Sequence, residues 1–142
     1  MAIQQGLTTI FKQNCLSGLE NFAVGTPYTY KIALYTASAS LDNTTTAYTT
    51  NNEITGAGYT AGGQTLTPIP PASNTTSNTA YISFQNAVWN PAAFTCRGAL
   101  IYNATTGAAV CVLDFGSDKT ASNTFQVTFP ADDASNAIIR FN

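Results

Sequence analysis

Residues 94–115 read FTCRGALIYNATTGAAVCVLDF, and this stretch decides the fold class of the chain. Between Phe94 and Tyr102 the even-numbered and odd-numbered side chains form two alternating sets, as in a strand, where successive side chains point to opposite faces. The polar residues 103–106 and Gly107 then form a turn signal. They lead into a second regular run over 109–115. We therefore expect a β-hairpin across this stretch.

Further runs with the same period lie on both sides of this hairpin. Strands are predicted over 28–35, 79–84, 87–91, 125–129 and 137–141, with a half-buried first strand and a polar turn over 116–123. Long polar loops are expected over 37–79, with short β pieces near 46–53 and 64–67. Seven or eight short strands separated by turns predict a mainly β fold, either a β-sandwich or jelly-roll-like.

The N-terminus has a different period. Apolar side chains recur at spacings near three and four, which predicts one helix over residues 3–20, although Gly6 and Gly18 weaken it. We interpret residues 1–142 as a single domain, with an N-terminal helical segment over 1–22 and a β-sandwich over 28–142. The helix either covers the sheet or serves as an arm that contacts a neighbouring subunit.

Charged side chains make up 8% of the chain, against roughly 25% in an average soluble domain. The five basic residues are scattered, whereas nucleic-acid binding needs a basic cluster, so we expect no nucleic-acid partner. No apolar run approaches the roughly 20 residues that span a bilayer, so no membrane partner is expected. No basic and then apolar signal segment is visible, which favours synthesis in a cytoplasm or carriage inside a particle.

The chain contains no histidine. This excludes Ser-His-Asp and Cys-His catalysis and most transition-metal sites, so we expect no enzyme and no catalytic, cofactor-binding or metal residues. Asp114 and Asp118 could share a calcium ion. The alternatives are a solvated turn, an ion pair of Asp114 with Arg97, or one of Asp118 with Lys119. The neighbouring pair of aspartates at 132–133 is expected to cap a turn.

The cysteines and the aromatic residues each allow two interpretations of their role. Cys15, Cys96 and Cys111 are interpreted as small buried apolar residues, and a Cys96–Cys111 bridge between neighbouring strands is the alternative. Trp89 and the seven tyrosines either pack in the core and at its rim or form an aromatic platform for a ligand such as carbohydrate.

Several long blocks of the sequence resemble a family of small virion proteins of tailed bacteriophages. The blocks are YKIALYT (30–36), TAYTT (46–50), NEI (52–54), GAGYTAGG (56–63), RGALIYN (97–103), LDFGSDKT (113–120) and FPADDASNAIIR (129–140). The resemblance covers nearly the whole chain from about Phe11. It implies a structural component of the particle, supplies no catalytic residues and does not fix the position of the protein on the particle.

The expected function is therefore a head cement or decoration protein that braces coat subunits in the virion, made in the cytoplasm of the host bacterium. Its expected partners are the major capsid protein or other virion proteins, and it is expected to form a homo-oligomer. The contacts are expected from the N-terminal helix and from the loops over 37–79. The alternative is a receptor- or glycan-binding module of a tail fibre, neck or head surface.

Overall fold

The computed structural model describes residues 2–23, 25 and 28–142. Over these residues the fold is mainly β and sandwich-like, with a single short helix and several antiparallel sheets, which confirms the predicted class. The elements are β1 (Gly6–Leu7), α1 (Thr9–Leu16), β2 (Tyr30–Tyr35), β3 (Gln64–Leu66), β4 (Ala72–Asn74), β5 (Thr79–Ile82), β6 (Ala87–Trp89), β7 (Phe94–Asn103), β8 (Ala109–Ala121), β9 (Phe125–Val127) and β10 (Ile139–Phe141).

The strands of the described residues form three antiparallel sheets. The central sheet has five strands in the order β1-β8-β7-β2-β3. A three-stranded sheet has the order β10-β5-β4, and β6 pairs with β9 in a two-stranded sheet. The hairpin predicted from residues 94–115 forms the pair β7–β8, in which Ile101 lies opposite Cys111.

The central sheet is buried on both faces, which corrects the prediction of a half-buried strand at 28–35. In β2, Ile32 and Leu34 pack into a large core, while Ala33 and Tyr35 pack into a second, smaller core on the other face. Loop residues over 37–50 and the N-terminal Ile3 cover that second face. Because two cores meet at one strand, an almost continuous run of buried side chains replaces the alternation of polar and apolar faces.

The helix is shorter than predicted, since only 9–16 of the expected 3–20 are helical. The residues before α1 are extended because they pair with distant parts of the chain. Ile3 bridges to Leu41, and β1 pairs with Val112 and Cys111 of β8. Thr8 then caps the helix, because its hydroxyl accepts from the Phe11 N–H at 3.2 Å. Of the described part of the predicted 1–22 segment, residues 2–22, only 9–16 are therefore helical, and Met1 lies outside the described residues.

Gly18 ends α1 in a Schellman motif. Its φ is +72°, and the Leu19 N–H bonds to the Asn14 carbonyl at 2.8 Å while the Gly18 N–H bonds to Cys15 at 3.3 Å. A left-handed residue just past the helix end satisfies carbonyls that would otherwise lack donors, and glycine adopts that conformation without a Cβ clash.

The other differences lie in the loops and in β8. The short β piece predicted near 64–67 is confirmed as β3, whereas the one near 46–53 is reduced to isolated bridges at Ala47 and Glu53. The polar residues predicted as a turn over 116–123 largely continue β8 to Ala121, because Thr120 pairs with Thr95 through a 2.9 Å bond between their hydroxyls. A bulge in β8 accommodates the polar segment, since Gly98 faces Asp114 but Cys96 faces Lys119.

Candidate interaction surfaces

The loop between β2 and β3, residues 36–63 and called here the β2–β3 loop, covers much of one face of the central sheet. Ala39, Leu41 and Ile54 anchor it, because each is at most 3% exposed. Main-chain bonds tie it to neighbouring elements: the Ile54 N–H bonds to Leu34 of β2 at 3.0 Å and the Tyr48 N–H to Gly107 at 2.9 Å. The loop is thus held at several separate points along its length.

The side chain of Glu53 organises the second half of this loop. Its Oε1 accepts a 2.6 Å bond from the Tyr48 hydroxyl, and its Oε2 accepts bonds from the Tyr59 hydroxyl at 2.6 Å and from the Gly62 N–H at 2.7 Å. The three donors lie at separate places along the loop. One carboxylate therefore fixes three parts of the loop relative to one another, through charge-assisted bonds that are stronger than neutral ones.

Two tyrosines extend this network into the sheet. The Tyr59 hydroxyl also accepts the N–H of Leu34 at 3.0 Å, and the Tyr102 hydroxyl of β7 donates to the Gly62 carbonyl at 2.7 Å. Burial, and then the hydrogen bond to Glu53, raises the pKa of Tyr59. Burial and the nearby Glu53 charge raise the pKa of Tyr102 to about 12. Both hydroxyls therefore stay protonated at neutral pH and keep donating.

Two glycines let the loop lie directly against other backbone. A Cβ on Gly58 would lie 1.9 Å from the Pro91 carbonyl oxygen, and a Cβ on Gly63 would lie 1.8 Å from that of Ile32. Both residues have positive φ, +86° and +79°. Only glycine fits such a close approach in this conformation, so the path of the loop is set by backbone contact as well as by Glu53.

The outer surface of the β2–β3 loop is chemically uniform. Every exposed residue between 36 and 63 is Ala, Ser, Thr, Asn or Gly. The two charged residues of the loop, Asp42 and Glu53, are both partly buried. Asp42 Oδ1 accepts bonds from the N–H and the hydroxyl of Thr44, and these bonds lower its pKa. Apart from the partly exposed Asp42, the loop thus presents a fixed surface of small, uncharged side chains.

A second surface lies between α1 and the β10-β5-β4 sheet, where an apolar groove of about 160 Å³ is found. The groove, called here the N-terminal groove, is lined by Cys15, Glu20, Phe22, Pro71, Ala72, Ala80, Tyr81, Ile82, Ile139 and Phe141. Three large apolar side chains are exposed on the elements that flank it, Leu16, Leu19 and Phe141. Part of the predicted contact region at the N-terminus is therefore an exposed apolar surface.

Glu20 is the one carboxylate of the N-terminal groove. Its Oε2 accepts a 2.7 Å bond from the Tyr30 hydroxyl and a 3.4 Å bond from the Asn103 amide. Its Oε1 is buried and has no donor with full hydrogen-bond geometry among the described residues, although the Asn14 side chain lies close enough to lower the pKa of the carboxyl. Burial raises the pKa of Glu20 despite the donors, because a charged carboxylate loses hydration there.

Asp114 and Asp118 lie in different surroundings. Asp114 forms a 3.3 Å ion pair with Arg97, one of the alternatives to a shared calcium ion, and also accepts the Gly116 N–H. Asp118 is exposed. Among the described residues, no group of three or more His, Cys, Asp or Glu side chains lies close enough to hold a metal ion. Asp133 caps a turn as expected, since its Oδ1 accepts the N–H groups of Ser135 and Asn136, both at 2.8 Å.

All three cysteines are free. Cys111 lies opposite Ile101 and Cys96 opposite Lys119, so the alternative of a Cys96–Cys111 bridge is wrong for this structure. Burial raises the pKa of both thiols to about 12. These two behave as small apolar residues of the core, as predicted, whereas Cys15 is only partly buried and lines the N-terminal groove.

Trp89 lies in the core and is 2% exposed, surrounded by Tyr59, Phe94 and Phe125. Tyr30 and Tyr35 are also buried. The aromatic side chains thus follow the packing interpretation, and Trp89 does not offer a ring to a ligand.

The sequence indicated the two regions that form these surfaces, the N-terminal helix and the loops over 37–79, but it did not show which side chains within them interact. The roles of Glu53 and Glu20 were missed. In a chain with 8% charged residues, a carboxylate within an otherwise neutral loop is a signal that it has a specific partner, because burying it without one is costly.

In the part of the chain that the structure describes, no helix is long and apolar enough to cross a membrane. No family model matches the chain, and neither a curated protein nor a solved structure matches it.

Proposed function

We propose that this protein is a non-catalytic structural component of a bacteriophage virion, a head cement or decoration protein that braces coat subunits. The single observation that supports this proposal most strongly is the β2–β3 loop, whose exposed residues are all small and uncharged and whose path is fixed by Glu53. The resemblance of the sequence blocks to small virion proteins supports the same proposal.

A loop fixed before binding is suited to bracing. Ordering a mobile loop on contact would consume binding free energy, whereas a loop already held by Glu53 and its tyrosines loses little entropy. Small Ala, Ser, Thr, Asn and Gly side chains allow close approach of a partner and offer neutral hydrogen-bonding groups. Contacts of this kind depend little on salt. Many copies on a lattice would add modest individual contacts into a large resistance to internal pressure.

The proposal predicts a conditional defect in particles that lack the protein. Such particles should assemble their coat normally but lose DNA on heating or at low salt, because the coat subunits are no longer braced. The measurement is DNA release from purified particles during a thermal ramp. Release at an unchanged temperature would contradict the proposal.

A matched pair of variants locates the effect. Thr50→Lys places a charge on the exposed surface of the β2–β3 loop, and Ser117→Lys places the same charge on the exposed bulge of β8. We expect particles carrying the first variant to release DNA early and those carrying the second to behave as wild type.

A stained gel of purified particles tests the alternative of a tail or neck module. That alternative predicts a few or tens of copies per particle, whereas a head cement protein should be present in hundreds of copies.

A further inference from the structure

We propose that Glu20 makes the protein respond to pH, in that residues 19–22 are held more firmly against the core when the Glu20 carboxyl is protonated than when it is charged. This response goes beyond the proposed function, since it concerns the isolated chain and does not depend on the virion. It also sets the charge of the N-terminal groove, because Glu20 is the carboxylate that lines it.

Residues 19–22 follow α1 and pack against the larger core through Phe22. The Phe22 ring stacks on Tyr30 with 4.4 Å between the ring centroids. The Asn21 N–H donates to the Tyr30 hydroxyl at 3.0 Å, and that hydroxyl in turn donates to Glu20 Oε2 at 2.7 Å. Tyr30 of β2 therefore holds three successive residues of the segment, and of these Glu20 is the one that can change its charge.

The surroundings of the Glu20 carboxylate compensate its charge poorly. Its Oε1 is buried, and no donor with full hydrogen-bond geometry reaches it from the described residues. The side chains of Tyr30, Asn103 and Asn14 favour the charged form, but burial outweighs them and raises the pKa of the carboxyl above its ordinary value of 4.5. The neutral carboxyl therefore suits this position better than the carboxylate does.

The neighbouring elements bring no second group that changes charge between acid and neutral pH. The other titratable side chains that face Glu20 from the described elements are a thiol and two phenols, those of Cys15 in α1, Tyr30 in β2 and Tyr81 in β5. Thiols and phenols are uncharged in this range. The cationic side chains of the adjoining elements, Lys12 of α1 and Arg140 of β10, are exposed. The chain has no histidine, so a carboxyl with a raised pKa takes the place of the usual pH-sensitive side chain.

The direction of the response follows from this raised pKa. A carboxyl whose pKa is higher in the folded chain than in the unfolded chain binds its proton more tightly when folded. Glu20 therefore contributes its full stability below its ordinary value of 4.5, and this contribution is lost as the pH rises through the higher pKa of the folded chain. At neutral pH the charged carboxylate favours water over the groove, which weakens the hold on residues 19–22.

The test is urea unfolding of the purified full chain from pH 4.5 to neutral pH. We expect the stability of Glu20→Gln relative to the wild type to increase as the pH rises, because the variant keeps a neutral side chain throughout. Asp42→Asn is the matched control. Bonds from Thr44 lower the pKa of Asp42 below its ordinary value of 3.8, so the stability of this variant relative to the wild type should change little over the same range.

Two further measurements follow the carboxyl and the segment directly. The chain has two glutamates, so Glu20→Gln or Glu53→Gln assigns the two side-chain carboxyl signals in NMR spectra of glutamate-labelled protein. We expect the Glu20 signal to titrate with a midpoint above 4.5. Amide hydrogen exchange over residues 19–22, corrected for its intrinsic pH dependence, should become faster towards neutral pH in the wild type but not in Glu20→Gln.

Three results would overturn the proposal. The first is a stability difference between Glu20→Gln and the wild type that stays constant or decreases as the pH rises. The second is a Glu20 midpoint at or below 4.5. The third is corrected exchange over residues 19–22 that has the same pH dependence in both proteins.

Discussion

Replacing Gly63 with alanine will destabilise the protein by about 2–5 kcal/mol, the sum of a left-handed backbone penalty and a clash in a packed site. Gly63 has φ +79°, and its new Cβ would lie 1.8 Å from the Ile32 carbonyl oxygen. That oxygen belongs to the backbone of β2, so no flexible side chain can move aside. Either β3 must separate from β2 or the end of the β2–β3 loop must be rebuilt.

Gly107→Ala is the control for this prediction. Gly107 has φ +83°, but no atom lies within 4 Å of the Cβ that would be added. It therefore suffers the backbone penalty alone, about 1–2 kcal/mol. Urea unfolding of both variants at neutral pH measures the two losses. Equal losses would show that the loop does not lie against β2 as closely as the structure has it.

The second large effect is expected from Glu53→Ala, which should lower the free energy of unfolding by about 2–4 kcal/mol because three bonds to a charged group are lost. The Tyr48 and Tyr59 hydroxyls and the Gly62 N–H lose their shared acceptor. Glu53→Gln should lie between the wild type and alanine, since an amide oxygen still accepts some of these bonds. Urea unfolding measures the loss, and amide hydrogen exchange should become faster over residues 48–62.

Asp42→Ala is the matched control for Glu53. Asp42 is the other carboxylate of the β2–β3 loop, but its bonds go to Thr44, two residues away in an exposed turn. Local bonds of this kind do not join distant parts of the loop, so its removal should change stability far less. If Asp42→Ala were as destabilising as Glu53→Ala, Glu53 would not be the residue that fixes the loop.

The parts of the fold that could be predicted are those in which local sequence decides the structure. The hairpin of β7 and β8 follows from a period of two and from the turn at Asn103, whose Oδ1 accepts the N–H groups of Thr105 and Thr106. Both signals lie within a few residues of the structure that they specify. The buried positions of Cys96 and Cys111 and the core position of Trp89 followed in the same way from the composition of strands.

The parts that could not be predicted depend on partners far away in the sequence. The N-terminal half of the expected helix is extended because Leu7 pairs with Cys111, and Thr8 both caps α1 and donates to the Ala109 carbonyl at 3.0 Å. Likewise, Tyr35 is buried because loop residues such as Leu41 return to cover it. Periodicity describes one element at a time, so it cannot show that a loop covers the second face of a sheet.

The low charge of the chain has a more specific meaning in the structure than in the sequence. Glu53 and Glu20, two of its few carboxylates, are partly buried and hydrogen-bonded by tyrosine hydroxyls. The exposed side chains of the β2–β3 loop are uncharged, and Asp42 is the one charged side chain of the loop that is partly exposed outside the Glu53 network. This separation is what the proposal of a bracing protein needs, since charge is used to fix the loop and neutral groups are left to meet the partner.

A density map of the intact particle is the most direct test of this account. We expect copies of the protein at regular positions over the head shell, with residues 36–63 facing the coat subunits. Density for the protein confined to the neck or tail, or copies on the head whose β2–β3 loop faces solvent, would contradict it.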